Sequence, residues 1–536
     1  MQNERPVFGL RVRRHLQRIV FALPHTIFLA PSAHGEPAVR VDSANTGPTL
    51  PCPTESRQRA RTGPANRLRT VQHMATNAAP PNRLNGEDNA RDSSSATARA
   101  FVPQTVSYEQ FTLPNGLDVL LHQDRSLPLI AVNIWYHVGP VNEPSGRSGF
   151  AHLFEHLMFE GSTHVGPNFD KWLEGVGATN SNGTTSWDRT NYFETVPREH
   201  LELVLWIESD RMGYLRDYIT QERLDVQREV VKNERRQTYE NAPYGPSALA
   251  LLDSLFPENH PYHGAVIGSM QDLSAASLED VRGFAERYYA PSNATLCIAG
   301  DFDKVQVRAL IEKYFGPLRA LAKPQRQQTD NYPSPRASRT VIDEPVDVAK
   351  VTLGWVAPPA YTQEQATLTV LAYVLSGGKA SRLYRSLVVD KQIAIDVDAD
   401  VDANALGTVF SVDAMVAKSK TIEVVETQLN RELSRVIESP PARLELERAK
   451  KRLSLEFARE LEVLNGPGGE TGRAGLLQRF NHYLHNPDAI GEWQRRIENV
   501  TADDLVDVSR RYLQPENRVT IITRPIKSST ATPRAK

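Results

Sequence analysis

Two histidines and a glutamate stand at a spacing that can do chemistry: His152, Glu155 and His156, in Gly149-Phe-Ala-His-Leu-Phe-Glu-His-Leu-Met-Phe-Glu-Gly161. On a helix, residues four apart project from one face, so His152 and His156 can offer two imidazole nitrogens to one metal ion. Glu155 points towards the same side. The neighbours Leu153, Phe154, Leu157, Met158 and Phe159 are apolar, which predicts a helix buried around the site. Imidazoles and a carboxylate are costly to bury unless they are paired or bind metal. The residues alone leave two readings. One is a pair of hydrogen-bonded core histidines; the other is a zinc site, which needs a third protein ligand and an open position for water.

Downstream, Gln227-Arg-Glu-Val-Val-Lys-Asn-Glu-Arg-Arg-Gln237 reads as a charged helix with few apolar positions, Val230 and Val231 among them. Within it Glu234 is separated from His156 by 77 residues. Around these motifs stand Tyr136-His-Val-Gly139, Gly146-Arg-Ser-Gly149, Asp188-Arg-Thr-Asn-Tyr-Phe193, His260-Pro-Tyr-His263 and Gly268-Ser-Met-Gln-Asp-Leu273. With them the chain, from about residue 105 to 528, resembles the inverted-zincin peptidases: pitrilysin, insulin-degrading enzyme and the mitochondrial processing peptidase. Their bacterial branch is the nearest in character.

The resemblance implies a zinc metalloendopeptidase that hydrolyses unfolded peptides. One Zn²⁺ per chain is held by His152, His156 and Glu234, with a fourth position for water. The ion lowers that water's pKa, and Glu155 takes its proton and passes it to the leaving amine. The resemblance also places Asn182, with Gly183 and Thr184, on an edge strand beside the zinc, where an extended peptide adds as one more strand. Gln227 stands seven residues before Glu234, where the family usually has a glutamate that buttresses the site. An amide there still orients a neighbour but brings no charge.

Two such subunits, four related domains, enclose a chamber in this family. Self-sufficient members carry an Arg and, seven residues later, a Tyr in the second domain. Aligned on Ser381-Arg-Leu-Tyr384, those positions are Val388 and Ile395 here, and neither side chain donates a hydrogen bond. The expected partner is therefore a homologous subunit without the zinc motif, in a heterodimer. A homodimer is the other arrangement. The rival function is a non-catalytic scaffold or processing-complex subunit of the same family.

The elements that must position these residues follow the chain. Phe111 to Leu121 reads as strand, Asn-Gly turn and strand, and Leu129 to Val138 as a third strand before the metal helix. Asn168 to Val176 is a helix with Phe169 and Trp172 on its apolar side. Gly175 to Ser186, rich in glycine and β-branched residues, runs into the strand Asn191 to Val196. His200–Tyr214 and Gln221–Glu240 are helices, and Ser277 caps a helix to Tyr288 that leads to an apolar strand holding Cys297. This last unit repeats. Ser277-Leu-Glu-Asp-Val, Arg287-Tyr288 and Pro291-Ser-Asn293 recur as Thr501-Ala-Asp-Asp-Leu, Arg511-Tyr512 and Pro515-Glu-Asn517, offset by 224 residues throughout. Tyr373-Val-Leu-Ser-Gly-Gly378 likewise echoes the stretch from His156 to Gly161, with Thr369, Ala372 and Tyr373 at the places of His152, Glu155 and His156. The second copy cannot bind zinc there.

The fold class is thus α+β: two homologous α/β-sandwich domains after a disordered N-terminal tail. The expected division is a tail over 1–104, the zinc-binding domain over 105–322, a linker over 323–339, the second domain over 340–528 and a short tail over 529–536. Asn465-Gly-Pro-Gly-Gly-Glu-Thr-Gly472 is a flexible Gly-rich loop between two helices.

The 536 residues allow two or three sizeable domains. A net charge of −2 gives no electrostatic drive towards nucleic acid or an anionic membrane. Residues 1–70 hold eleven Arg and no Lys. Arg11, Arg13, Arg14 and Arg18 precede a short apolar run, Ile19 to Ala30, and the small residues Pro31-Ser-Ala33. That order resembles a weak secretory signal, so a periplasmic or secreted location is expected, with a cytoplasmic one as the alternative. The run is too short to span a bilayer. Cys52 and Cys297 lie in unrelated contexts, which argues against a disulfide framework.

Overall fold

The computed structural model describes residues 101–167, 169–325 and 335–526. The signal-like segment, the tail to residue 100, the greater part of the 323–339 linker and the tail from 529 lie outside the described residues, as does Cys52.

The first half builds a six-stranded sheet from β1 (Glu109–Thr112), β2 (Asp118–Gln123), β3 (Leu129–Tyr136), β4 (Thr179–Thr185), β5 (Thr190–Pro197) and β6 (Ala294–Gly300). Its helices are α1 (Phe150–Leu157), α2 (Phe169–Gly175), α3 (Leu201–Tyr218), α4 (Gln221–Arg235), α5 (Gly245–Leu255), α6 (Met270–Ala275), α7 (Leu278–Tyr288) and α8 (Lys304–Phe315). The second half has strands β7 (Ser338–Glu344), β8 (Lys350–Ala357), β9 (Ala394–Asn404), β10 (Gly407–Val416) and β11 (Val519–Pro525). Between them run α9 (Gln363–Ser376), α10 (Ile422–Glu438), α11 (Arg443–Glu460), α12 (Gly472–Leu484), α13 (Ile490–Asn499) and α14 (Ala502–Tyr512).

The strand orders are β1-β2-β6-β3-β5-β4 and β7-β11-β8-β10-β9. Apart from β1, the two orders correspond strand for strand. The pairing directions agree as well: β2/β6 and β7/β11 are parallel and every other neighbour is antiparallel. The repeat reaches the helix caps. Ser277 Oγ accepts from Asp280 N at 3.1 Å and Thr501 Oγ1 from Asp504 N at 3.2 Å. Each aspartate reaches back to its cap residue, and a capping side chain of this kind stabilises a helix by about 1 kcal/mol. The chain is therefore α+β with two domains.

Each sheet carries a core of its own, and a third cluster joins the halves. Leu120, Ala131, Cys297 and Ala299, from one face of the first sheet, pack on Ala474, Leu477 and Phe480 of α12. The first sheet is thus covered on both faces, its own α1 on one and α12 on the other. Its central strands are apolar almost throughout, as β6 shows with all seven residues buried. Cys297 is buried here, and burial pushes its thiol pKa up.

One apolar assignment changes. Phe169 and Leu173 are the buried positions of α2, whereas Trp172 is 45% exposed and meets Trp206 edge-on at 5.7 Å. Residues four apart share a helix face, and the pair 169/173 outcompetes 169/172 for the core. No helix among the described residues is long and apolar enough to cross a membrane.

Candidate active site

Helix α1 is buried along almost its whole length, His152 and Glu155 included. Its N-terminus has no cap of its own. Instead the Glu143 carboxylate, six residues upstream, accepts from Gly149 N at 2.9 Å and Ala151 N at 2.8 Å. Desolvation pushes the Glu143 pKa up to about 8, against the pull of those backbone donors. Helix α4 runs antiparallel beside α1. Its Leu224 and Val231 are buried, Val230 is 40% exposed, and Arg235 donates to Gly268 O at 2.6 Å.

This packing brings His152, His156 and Glu234 together. Glu234 Oε2 lies 3.2 Å from His156 Nε2 and 3.7 Å from His152 Nε2. The three ligand atoms fall within 4.8 Å of one another, and among the described residues no other three His, Cys, Asp or Glu side chains converge in this way. Ligands about 2.0–2.1 Å from a tetrahedral zinc stand about 3.3 Å apart. The observed separations fit that ion, and two imidazoles with one carboxylate are a donor set that zinc accepts. Nearby Tyr239 is pushed up to about 12, by burial first and then by the Glu234 charge, so its phenol stays neutral.

Glu155 faces β4, the free edge of the sheet. Gly183 passes so close that a Cβ there would meet Phe159 Cε2 at 3.0 Å and Glu155 Cγ at 3.1 Å, so only glycine fits without displacement. Two residues on, Thr185 Oγ1 donates to Glu155 Oε2 at 2.6 Å. Strand side chains alternate between faces, so Thr184 turns away from the metal cluster. Its hydroxyl donates to Asn191 Oδ1 at 2.6 Å, accepts from Arg189 Nη1 at 2.6 Å and lies 3.2 Å from Gly468 O. Thr184 can therefore meet a substrate only through its backbone, as strand addition requires. Asn182 pairs in register with Phe193, just beyond an irregularity in the β4/β5 ladder.

Gln227 also differs from expectation. Its amide donates to Glu160, beyond the C-terminal end of α1, and not to a residue of the cluster. Seven residues is two helical turns, and along antiparallel helices that displacement carries Gln227 past the histidines. The Gly-rich stretch, read as a flexible turn, is a docked element. Asn133 Nδ2 donates to Gly469 O at 2.7 Å, Asn191 Nδ2 to Gly468 O at 3.1 Å, and Arg189 pairs with Glu470. Gly469 (φ 63°) lies so near Asn191 and Phe193 that a Cβ would come within 2.4–2.5 Å of them. The second half thereby braces the back of the strands that carry the cluster's neighbours.

The sequence reading passed over Thr185, Glu143 and Arg235. Only Thr185 left a signal: once Gly183 faces the helix, strand alternation puts residue 185 on the same side.

Fold and site together define a class: a two-domain α+β chain in which, among the described residues, one His/His/Glu group that could hold a metal ion lies in the first half. The chain belongs to peptidase family M16, the insulinase family. A model described as "Insulinase (Peptidase family M16)" matches residues 118–257, and one described as "Peptidase M16 inactive domain" matches 275–453. Zinc protease PqqE of Helicobacter pylori is 28% identical over 439 residues, covering 80% of this chain and 94% of that protein. The crystal structure of a protease from Helicobacter pylori superposes with a TM-score of 0.72 at 27% identity, over 78% of this chain and all of that one. An M16 inactive-domain structure from Pseudomonas fluorescens has a TM-score of 0.69 at 16% identity, covering 80% of this chain and 100% of that one, a likeness of fold alone.

Proposed function

We propose that this chain is a zinc endopeptidase acting on extended, unfolded peptides. The observation that carries the reading is the convergence of His152, His156 and Glu234 beside Glu155 and an edge strand. His152, His156 and Glu234 would hold the ion. When bound, zinc supplies Lewis-acid chemistry: it polarises the scissile carbonyl and makes a water molecule acidic near neutral pH. Glu155 takes the proton from that water and holds it on its carboxylate until the leaving amine receives it. The edge of β4 pairs with the substrate backbone, which grips an extended chain without reading its side chains. A folded protein offers no free strand to that edge, hence the preference for unfolded segments. The backbones of Asn182 and Gly183 are the groups on β4 that would position the scissile bond.

The proposed assembly is a pair of family members, this chain supplying the zinc. Val388 is half-buried and Ile395 is 49% exposed on β9, so no side-chain donor stands at either place. A homologous partner with an Arg/Tyr pair would provide it. The competing reading, a non-catalytic subunit, draws on the likeness of residues 275–453 to the inactive domain.

Zinc content of the purified protein and cleavage of an unfolded peptide, with and without candidate partners, test both. About one zinc per chain with Glu155-dependent cleavage supports the peptidase. A chain with neither zinc nor cleavage is the non-catalytic subunit.

A further inference from the structure

We infer that Thr185 is a positioning residue for the general base, so that the strand that takes the substrate also orients Glu155. The inference rests on the metallopeptidase reading above.

Thr185 Oγ1 stands 2.6 Å from Glu155 Oε2. A hydroxyl has one proton to give, and the surroundings fix where this one goes. Thr190 Oγ1, 3.3 Å from Thr185 Oγ1, donates its own proton to Val138 O at 3.0 Å. The ionised carboxylate only accepts, so Thr185 donates to Glu155. That bond occupies one carboxylate oxygen and leaves the other to take a proton from water. A glutamate side chain has three rotatable bonds and samples many rotamers unless something selects one. Here Gly183 limits its approach from the strand side, with its Cβ position 3.1 Å from Glu155 Cγ, while Thr185 holds its end.

Thr185 is well placed to hold another group still. It is the last residue of β4, paired with Thr190 across the hairpin. Its β-branched side chain has few χ1 options in a strand. Arg189, four residues on, donates to Thr184 O at 2.8 Å and ties the hairpin end to the neighbouring backbone. A peptide added to β4 is therefore registered against the same strand that aims the base. One rigid element sets both the scissile bond and the group that delivers the proton.

The test compares Thr185→Val, which keeps the shape and removes the hydroxyl, with Thr185→Ser, which keeps the hydroxyl. Thr185→Val should lose about tenfold to a hundredfold in kcat, the scale of a misaligned catalytic group. KM and the zinc content should not change. Thr185→Ser should recover most of the rate, and in a Glu155→Gln background Thr185→Val should add no further loss. Calorimetric binding of a peptide hydroxamate needs no turnover and reports on the chain alone: about tenfold weaker in Thr185→Val and unaltered in Thr185→Ser. Wild-type kcat and hydroxamate affinity in Thr185→Val, or an equal loss in the serine variant, would overturn the inference. A change confined to KM would overturn it too, by making Thr185 a substrate contact. Full turnover in Glu155→Gln would instead sink the metallopeptidase reading itself.

Discussion

The two halves place the same pair of helices against the same sheet and fill the contact between them differently. In the first, α1 offers His152 and His156 to Glu234 of α4. In the second, α9 carries Thr369 and Tyr373 at those places and offers only Tyr373 to Glu456 of α11. Tyr373 donates its hydroxyl to Glu456, Arg452 Nε stands 3.3 Å from that carboxylate, and Thr369 Oγ1 folds back to Gln365 O at 3.0 Å. A helix-borne glutamate is common to both. What differs is its company: imidazoles that can share a divalent cation, or a phenol and a guanidinium that bond the carboxylate. The backbone therefore does not make the metal site. The two histidines on α1 do, and Val230 stands four residues before Glu234 where Arg452 stands four residues before Glu456.

The comparison is broken most severely by disarming one half. Glu155→Gln should reduce peptide cleavage by a hundredfold or more, roughly the contribution of a general base, with zinc content unaltered. Zinc lost from that variant, or more than a few percent of activity kept, would remove Glu155 from the role of base. Next in size, Glu234→Gln should lower zinc stoichiometry sharply while Glu456→Gln leaves it at the wild-type value. Glu229→Gln is the internal control, since Glu229 is exposed and bonded to Lys232 at 2.7 Å. Zinc loss in Glu229→Gln and none in Glu234→Gln would move the site one turn along α4.

A construction sharpens the same contrast. Thr369→His with Tyr373→His should not raise zinc binding above one per chain, because Arg452 keeps a positive charge on Glu456. Adding Arg452→Ala should raise it towards two. A second zinc in the double variant would show that the histidines alone separate the halves.

The parts legible from sequence were those fixed within one turn or one repeat. The α1 face follows from positions four apart, the Ser277 and Thr501 caps from Ser/Thr-x-x-Asp, and the β1–β2 hairpin from Asn115-Gly116. What stayed hidden depends on contacts between segments far apart. Gln227 meets Glu160 only because α4 runs antiparallel to α1. Gly468 and Gly469 dock on Asn191 and Asn133 across more than 270 residues, and nothing in a glycine run announces its partner. Thr185 was a smaller miss. Its role depends on which face of β4 meets Glu155, and only the folded strand shows that it is the face of Gly183 and Thr185.

The smallest expected effect concerns the two edge strands. β4 reads Thr-Asn-Ser-Asn-Gly-Thr-Thr and carries no charge, whereas β9 carries Asp396, Asp398, Asp400 and Asp402 at alternate positions. Burial, with repulsion among these carboxylates, raises Asp398 and Asp402 to about 7, while the Ser376 hydroxyl on Asp398 and the Asn404 side chain on Asp402 pull the other way. Unfolded, each returns to the ordinary aspartate value near 4. Between those values the folded chain binds more protons than the unfolded one, so stability must fall as pH rises from about 4 through about 7. Glutamates and aspartates held in ion pairs elsewhere act in the opposite sense but below about pH 4.5, so the two contributions separate along the pH axis. Asp398→Asn with Asp402→Asn should therefore raise the midpoint of thermal unfolding at pH 8 and leave it nearly unaltered at pH 5. Zinc content should be the same at both, since β9 lies in the half without the metal cluster. An equal shift at both pH values would mean that the substitutions act through packing, and that the acidic edge carries no pH-dependent cost.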